Sequence, residues 1–185
     1  SIIVFSRVIL KGIDGSINET QARDLSAIYN SGQHLLSLIN NILDISKIDS
    51  GKMDLKITEV SISDIINSAM TTATGLAKDK DLKFKQIVPP ELPKVMVDAT
   101  RIRQILINLL SNAIKFTEQG MITVEASTTT SPDNIPELMV TVSDTGQGID
   151  PKDRYKLFQA FSQVDDSPTR KAGGTGLGLS ISKSL

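Results

Sequence analysis

The chain has 185 residues, of which 39% are hydrophobic and 4% aromatic, and its formal net charge is −1. That length suits one domain, or one domain with a smaller appendage, and the core must be built from aliphatic side chains. The small net charge argues against binding nucleic acid through a basic surface, and the absence of cysteine excludes disulfides, thiolate metal sites and cysteine nucleophiles.

The first 50 residues predict two helices. Residues 2–10 are densely apolar, and Gly12 and Gly15 then interrupt the pattern. From Thr20 to about Asp49, apolar residues recur at three- and four-residue steps along two faces, and the segment ends at Ser50-Gly51. One partner helix cannot cover so much apolar surface, so we expect a helical hairpin that dimerises into a four-helix bundle.

After Gly51, strand and helix patterns alternate. The predicted strands are residues 53–57, 82–85, 95–97, 121–125 and 138–142, with the segment 95–97 buried. The predicted helices are residues 61–80, 100–116, a short one near 155–160 and one after Gly176. The predicted fold class is α+β: a helical hairpin over residues 1–50, then a two-layer α/β sandwich with a mixed sheet over residues 51–185.

A polar stripe runs along the helix predicted at 100–116. Asn108, Asn112 and Lys115 are spaced i, i+4 and i+7, so they share one side of the helix. An amide oxygen can ligate Mg²⁺, and an ammonium can contact phosphate oxygens. A solvated stripe on an amphipathic helix would show the same spacing.

A segment with two glycines follows the strand predicted at 138–142, with the sequence Asp144-Thr145-Gly146-Gln147-Gly148. A carboxylate at the end of a strand can bind the amino group of a nucleotide base, and glycines allow the backbone to approach a flat ligand. A simple β-turn is the alternative interpretation.

A second glycine-rich segment, residues 173–179, leads directly into the last predicted helix. Its backbone N–H groups could cradle phosphate, with Arg170 and Lys171 adding charge. It is not a P-loop, because no Lys-Ser or Lys-Thr follows the glycines, and no strand precedes it as a dinucleotide fingerprint requires.

Together these three segments resemble the N, G1 and G2 boxes of the histidine-kinase ATP-binding domain, whose fold is shared with gyrase-type ATPases. Residues 157–162, Leu-Phe-Gln-Ala-Phe-Ser, resemble the F box of that family. Residues 31–40 and 44–48 resemble its dimerisation hairpin. The resemblance covers essentially the whole chain, and four boxes in order make it specific.

The resemblance implies an ATP site with bound Mg²⁺. In that site Asn112 would ligate Mg²⁺, Lys115 would contact the phosphates, and Asp144 would bind the adenine amino group. The other residues that it implies are Gly146 and Gly148 at the base, Asn108, Arg170, Gly174, Gly176, Leu177 and Gly178 around the ATP, and Phe158 and Phe161 as anchors of a lid. Core packing is the alternative role for the two phenylalanines.

The resemblance also implies a two-component sensor kinase, which transfers the γ-phosphate of ATP to a histidine for relay to a response-regulator receiver domain. The single histidine, His34, does not match the acceptor, so we expect the acceptor before Ser1. We therefore interpret the chain as a cytoplasmic fragment that also ends before the final strand of the family. Homodimerisation through the hairpin is implied, and attachment of the parent protein to a membrane stays undetermined.

Two other classes of function stay open. An ATP-binding interaction module without catalysis would carry the same segments. ATP-hydrolysing relatives place a Glu four residues before the metal-binding Asn, where this chain has Asn108. An amide cannot deprotonate water, so we expect weak hydrolysis here, and a kinase of mitochondrial type is a further possibility within this fold.

Overall fold

The computed structural model describes residues 1–13, 15–162 and 175–185. These residues form two compact units, Ser1–Met53 and Asp54–Leu185. Within the described ranges, none of the helices combines the length and the apolar character that crossing a membrane requires.

The first unit consists of α1 (Ile2–Leu10) and α2 (Glu19–Asp49), in agreement with the two predicted helices. A capping box begins α2: the Asn18 side chain accepts a hydrogen bond from the Gln21 N–H, and the Gln21 side chain accepts one from the Asn18 N–H. These two bonds satisfy N–H groups that have no partner within the helix, so α2 has a defined start.

The two helices approach closely beside Gly32. A Cβ atom built on Gly32 would lie 2.9 Å from Cγ1 of Ile3, so a larger residue would push α1 and α2 apart. In the described chain no residue of α2 is buried. Its exposed large apolar side chains are Ile28, Leu35, Leu36, Ile39, Ile42 and Leu43.

The second unit mixes strands and helices. Its elements are β1 (Thr58–Val60), α3 (Ile62–Leu76), β2 (Asp81–Ile87), β3 (Val95–Val97), α4 (Ala99–Phe116), β4 (Gln119–Thr130), β5 (Pro136–Asp144), a 3-10 helix (Pro151–Lys156) and α5 (Gly178–Ser184). In the described residues, β1 pairs with β3 antiparallel, while β2 pairs with β4 parallel and β4 pairs with β5 antiparallel. The predicted α+β class with a mixed sheet is confirmed.

The core lies where α3 and α4 pack against β4. Ile66, Leu110 and Ile122 are its largest fully buried aliphatic side chains. Burying each such side chain stabilises the fold by about 1.5–3 kcal/mol relative to exposing it. Because α4 lies against this core on its apolar face, its polar stripe is carried by a firmly held helix.

The strand predicted at residues 53–57 is wrong. Leu55 and Ile57 are exposed, and β1 begins only at Thr58, whose partner in β3 is Val97. Two residues before Thr58, the Lys56 N–H donates to the Asp98 carboxylate at 2.9 Å and not to a neighbouring strand. An alternating pattern indicates which way side chains point, but a strand also needs a neighbouring strand to bond.

Three other predictions differ in detail from the structure. The helix predicted at 61–80 ends at Leu76, and the strand predicted as buried at 95–97 exposes 64% of Met96. The helix predicted near 155–160 is a 3-10 helix at Pro151–Lys156. The Asp150 side chain begins it by accepting a bond from the Lys152 N–H, and Pro151 suits the first helical position.

Candidate functional site

The polar stripe on α4 is present as the spacing predicts. Asn108, Asn112 and Lys115 all lie on this helix and all three are half-buried. The Asp98 side chain begins α4 by accepting bonds from two N–H groups of the first turn. The Lys115 ammonium lies 4.9 Å from the centroid of the Phe116 ring, a cation–π contact at the end of the helix.

Asn108 contacts the last helix of the described chain. Its amide Nδ2 donates to the Ser182 hydroxyl at 2.9 Å, and that hydroxyl donates to the Gly178 carbonyl at 3.0 Å. The Asn108 amide also occupies the space that a Cβ on Gly178 would need. In this structure Asn108 therefore links α4 to α5 through a side-chain hydrogen bond.

Asp144 ends β5 and meets the end of α4. Its Oδ1 accepts a hydrogen bond from the Gly146 N–H at 2.8 Å and lies 3.4 Å from the hydroxyl of Thr117, which is fully buried. A Cβ built on Gly146 would lie 2.5 Å from the Phe116 carbonyl oxygen and 2.9 Å from Thr117 Oγ1. The backbone at position 146 lies so close to the backbone of Phe116 that there is no room for a side chain larger than that of glycine. This contact brings Asp144 near the helix that carries Asn112 and Lys115.

The rest of the segment after β5 is held against β4. The Thr145 N–H donates to the Met121 carbonyl at 3.2 Å, and the Met121 N–H donates to the Thr145 hydroxyl at 3.0 Å. Gly148 has φ +71°, a left-handed conformation that favours glycine. An open cleft of about 380 Å³ is lined by Thr145 and by Asp81 and Lys83 of β2.

The last glycine segment is described from Thr175 onward. Gly176 has φ +66°, and a Cβ there would lie 2.8 Å from the Phe161 carbonyl carbon and 2.8 Å from the Ser162 carbonyl oxygen. Leu177 is fully buried at the start of α5, and Gly178 packs against α4. The predicted phosphate residues Arg170 and Gly174 lie outside the described residues.

Phe158 and Phe161 are surface residues in this structure, with 48% and 69% of each residue exposed. Core packing, the alternative role for both, is therefore wrong, and a role in a lid stays a prediction. Phe161 has φ +63°, and its N–H donates to the Gly176 carbonyl at 3.1 Å. The Lys183 ammonium lies 5.4 Å from the Phe158 ring centroid.

Sequence reasoning missed Lys80. This residue precedes β2, and its ammonium donates to three backbone carbonyl oxygens at the end of α4. Its partners lie 34 to 37 residues further along the chain, so no local pattern marks the contact.

Among the carboxyl groups of the described residues, those of Asp98 and Asp150 have displaced pKa values. Backbone hydrogen bonds, the largest from the Lys56 N–H and the next from the Arg101 N–H, hold the pKa of Asp98 below its ordinary value of 3.8. The backbone N–H and then the side chain of Lys152 lower the pKa of Asp150. Both carboxylates cap helices, and Asp98 also accepts the bond from the Lys56 N–H, so these shifts reflect hydrogen bonds that hold the fold.

Each of the two units contains residues that match a known protein family. Residues 1–51 match the "His Kinase A (phospho-acceptor) domain", and residues 97–185 match the "Histidine kinase-, DNA gyrase B-, and HSP90-like ATPase" family. The second match contains α4, the Asp144 segment and α5.

Curated relatives agree with these matches. The chain is 40% identical over 183 residues to the non-motile and phage-resistance protein of Caulobacter vibrioides, covering 98% of this chain and 22% of that protein. It is 43% identical over 162 residues to the sensor protein GacS of Pseudomonas syringae pv. syringae, covering 87% of this chain and 18% of that protein. The chain thus spans about a fifth of the length of these relatives.

Solved structures extend the likeness to three dimensions. Full-length ShkA in complex with AMPPNP superimposes with a TM-score of 0.78 at 30% identity, covering 99% of this chain and 37% of that chain. The Acinetobacter baumannii histidine kinase AdeS gives a TM-score of 0.68 over 100% of this chain and 82% of that one, and at 20% identity it supports the fold alone. Residues 1–51 and 97–185 match these two families, and relatives 40% and 43% identical align with 98% and 87% of the chain, so the chain belongs to the sensor histidine kinases and carries regions of their phosphoacceptor and ATPase core.

Proposed function

We propose that this chain is the Mg-ATP-binding core of a two-component sensor kinase, working in the cytoplasm. It would transfer the γ-phosphate of ATP to a histidine, for relay to a response-regulator receiver domain. The observation that carries this proposal is the junction of α4 and β5, where Gly146 and Thr117 hold Asp144 beside the helix of Asn112. That the similar ShkA structure is a complex with AMPPNP supports nucleotide binding.

Asp144 would recognise the base. One of its oxygens is already engaged by the Gly146 N–H and lies near the Thr117 hydroxyl, so the carboxylate has little freedom to rotate. A carboxylate held in this way would accept a hydrogen bond from the adenine amino group. Guanine has a carbonyl oxygen at the same position, which would meet the carboxylate as a second acceptor and be disfavoured.

Asn112 would bind the Mg²⁺ that accompanies the phosphates, and Lys115 would bind the phosphates themselves. Mg²⁺ in nucleotide sites takes one or two protein oxygens and completes its octahedron with phosphate and water, so a single amide fits it. When bound, Mg²⁺ would neutralise charge on the transferring phosphoryl group. The Lys115 ammonium, which here rests on the Phe116 ring, would contact phosphate oxygens. Asn108 cannot act as a base toward water, which favours transfer over hydrolysis.

The acceptor would be a histidine outside these 185 residues. His34 is exposed on α2, and the family resemblance does not align it with the acceptor. The face of α2 between His34 and Ile45 is the surface that we propose for docking of the receiver domain.

A second copy of the chain would cover the apolar face of α2. Side chains such as Leu35 and Ile39, 58% and 47% exposed, would then be buried in a four-helix bundle. Sedimentation equilibrium should find a dimer that Ile39→Glu weakens, while Asn30→Glu, a change on an exposed polar side chain of α2, serves as the control. A monomer at all concentrations would contradict the proposed dimer.

Transfer itself can be tested with a relative that keeps its acceptor histidine but cannot bind ATP. This chain, mixed with that relative and γ-labelled ATP, is expected to label the relative's histidine, and Asn112→Ala is expected to abolish the label. Binding of ATP without any transfer would instead support the ATP-binding interaction module.

A further inference from the structure

The ammonium group of Lys80, far away in sequence, binds the backbone carbonyls at the end of α4. The Lys80 ammonium donates to the carbonyl oxygens of Ile114 at 2.7 Å, Thr117 at 3.0 Å and Lys115 at 3.4 Å. An ammonium has three N–H donors, so one can point toward each oxygen. The last carbonyls of a helix lack partners within it and form the negative end of its dipole, so a cation here is favourable.

One of the three residues that Lys80 holds, Thr117, contacts Asp144. Thr117 is fully buried, and its hydroxyl lies 3.4 Å from Asp144 Oδ1. The Gly146 backbone packs against the Phe116 carbonyl, one residue earlier. A shift of this turn would therefore move the Asp144 carboxylate or break its 2.8 Å bond with the Gly146 N–H.

We propose that Lys80 is a positioning residue for base recognition. By fixing the carbonyls at the end of α4, its ammonium sets the position of Thr117 and, through it, the orientation of the Asp144 carboxylate. Lys80 lies outside residues 97–185, the segment that matches the ATPase family. This inference rests on the proposed function, because it assigns Lys80 to the adenine end of that nucleotide site.

The first test compares Lys80→Met with Lys83→Met, a control on an exposed side chain of β2 three residues further along the chain. Calorimetry with Mg²⁺ would measure the affinity of each folded variant for ATP and for GTP. Lys80→Met is expected to bind ATP about tenfold more weakly, as for loss of one hydrogen bond to the base, and to discriminate less between ATP and GTP. Lys83→Met is expected to stay within about twofold of the wild type.

A double-mutant cycle shows whether Lys80 acts through Asp144. Asp144→Asn keeps an acceptor oxygen, so binding should remain measurable, and adding Lys80→Met to it should cause little further loss. Lys80→Arg should restore most of the ATP affinity, because a guanidinium also donates to carbonyls. If Lys80→Met does not fold, Lys80→Gln, which keeps two N–H donors without the charge, takes its place in the cycle.

The outcomes separate the inference from the proposed function. An unchanged ratio of ATP to GTP affinity in Lys80→Met, or an equal loss of ATP affinity with and without Asp144→Asn, would overturn the positioning role while the wild type still binds ATP. A purely structural role for Lys80 would lower the free energy of unfolding without changing that ratio. Failure of the wild type to bind either nucleotide would overturn the proposed function and this inference with it.

Discussion

Replacing Gly146 with alanine adds one methyl group at the point where β5 meets α4. The new Cβ would lie 2.5 Å from the Phe116 carbonyl oxygen, 2.8 Å from Asp144 Oδ1 and 2.9 Å from Thr117 Oγ1. The nearest of these atoms belongs to the backbone of α4 and cannot rotate away. The segment after β5 must therefore move.

The required movement can be estimated from these distances. Contacts between carbon and oxygen normally begin near about 3.3 Å, so the segment must retreat by about 0.8 Å. A shift of that size would strain or break the bond from the Gly146 N–H to Asp144. We expect the free energy of unfolding to fall by about 1–3 kcal/mol, as for other overpacked sites. We also expect ATP affinity to fall about tenfold, because the carboxylate is displaced.

The matched control is Gly75→Ala. Gly75 is the second-last residue of α3, and a Cβ there would meet nothing within 4 Å. Alanine is the better helix former, so this variant should be at least as stable as the wild type, with a gain of at most about 1 kcal/mol so near the end of the helix. Urea denaturation gives the stability of both variants, and calorimetry gives their ATP affinity. If Gly146→Ala matched Gly75→Ala in both measurements, the close packing at the Asp144 junction would have no role in binding.

Two further predictions concern helix contacts. Ser182→Ala removes the partner of the Asn108 amide and should lower the free energy of unfolding by about 1 kcal/mol in urea denaturation. The control Ser184→Ala loses only a bond to its own helix and should be near neutral. Equal effects of the two changes would refute the proposal that Asn108 holds α5 against α4. The pKa of Asp98 is lower in the folded chain than its ordinary value of 3.8. The ionised Asp98 carboxylate therefore stabilises the fold fully above pH 3.8, and this stabilisation is lost as the pH falls through the folded pKa. Urea midpoints at about pH 5 and about pH 3 should therefore differ less in Asp98→Asn than in the wild type. An unchanged difference would contradict a stabilising role for the hydrogen bonds that the Asp98 carboxylate accepts.

Local signals in the sequence were enough to predict most elements. Apolar residues at three- and four-residue steps predicted α2 and α4, because helical periodicity acts within one or two turns. The alternation at residues 53–57 gave a wrong strand prediction, because alternation carries no information about a partner strand. In the structure, β1 pairs with β3 only from Thr58 onward. Strand formation depends on a neighbour that lies far away in sequence.

The candidate site shows the same limit. Spacing predicted that Asn108 and Asn112 share a helix face, but not that Asn108 would meet Ser182, 74 residues away. The Gly146 contact with α4 and the Lys80 bonds likewise depend on how the elements pack. Residue type and spacing therefore indicated which chemistry is present, while the partners that orient it come from tertiary structure.

The most direct test of the nucleotide site is calorimetric titration of the folded chain with ATP in the presence and absence of Mg²⁺. The wild type should bind ATP more tightly with Mg²⁺, Asp144→Ala should bind at least about tenfold more weakly, and Ser143→Ala, on the exposed neighbouring residue, should match the wild type. No uptake of ATP by the wild type, or equal uptake by Asp144→Ala, would contradict a site in which this carboxylate selects adenine.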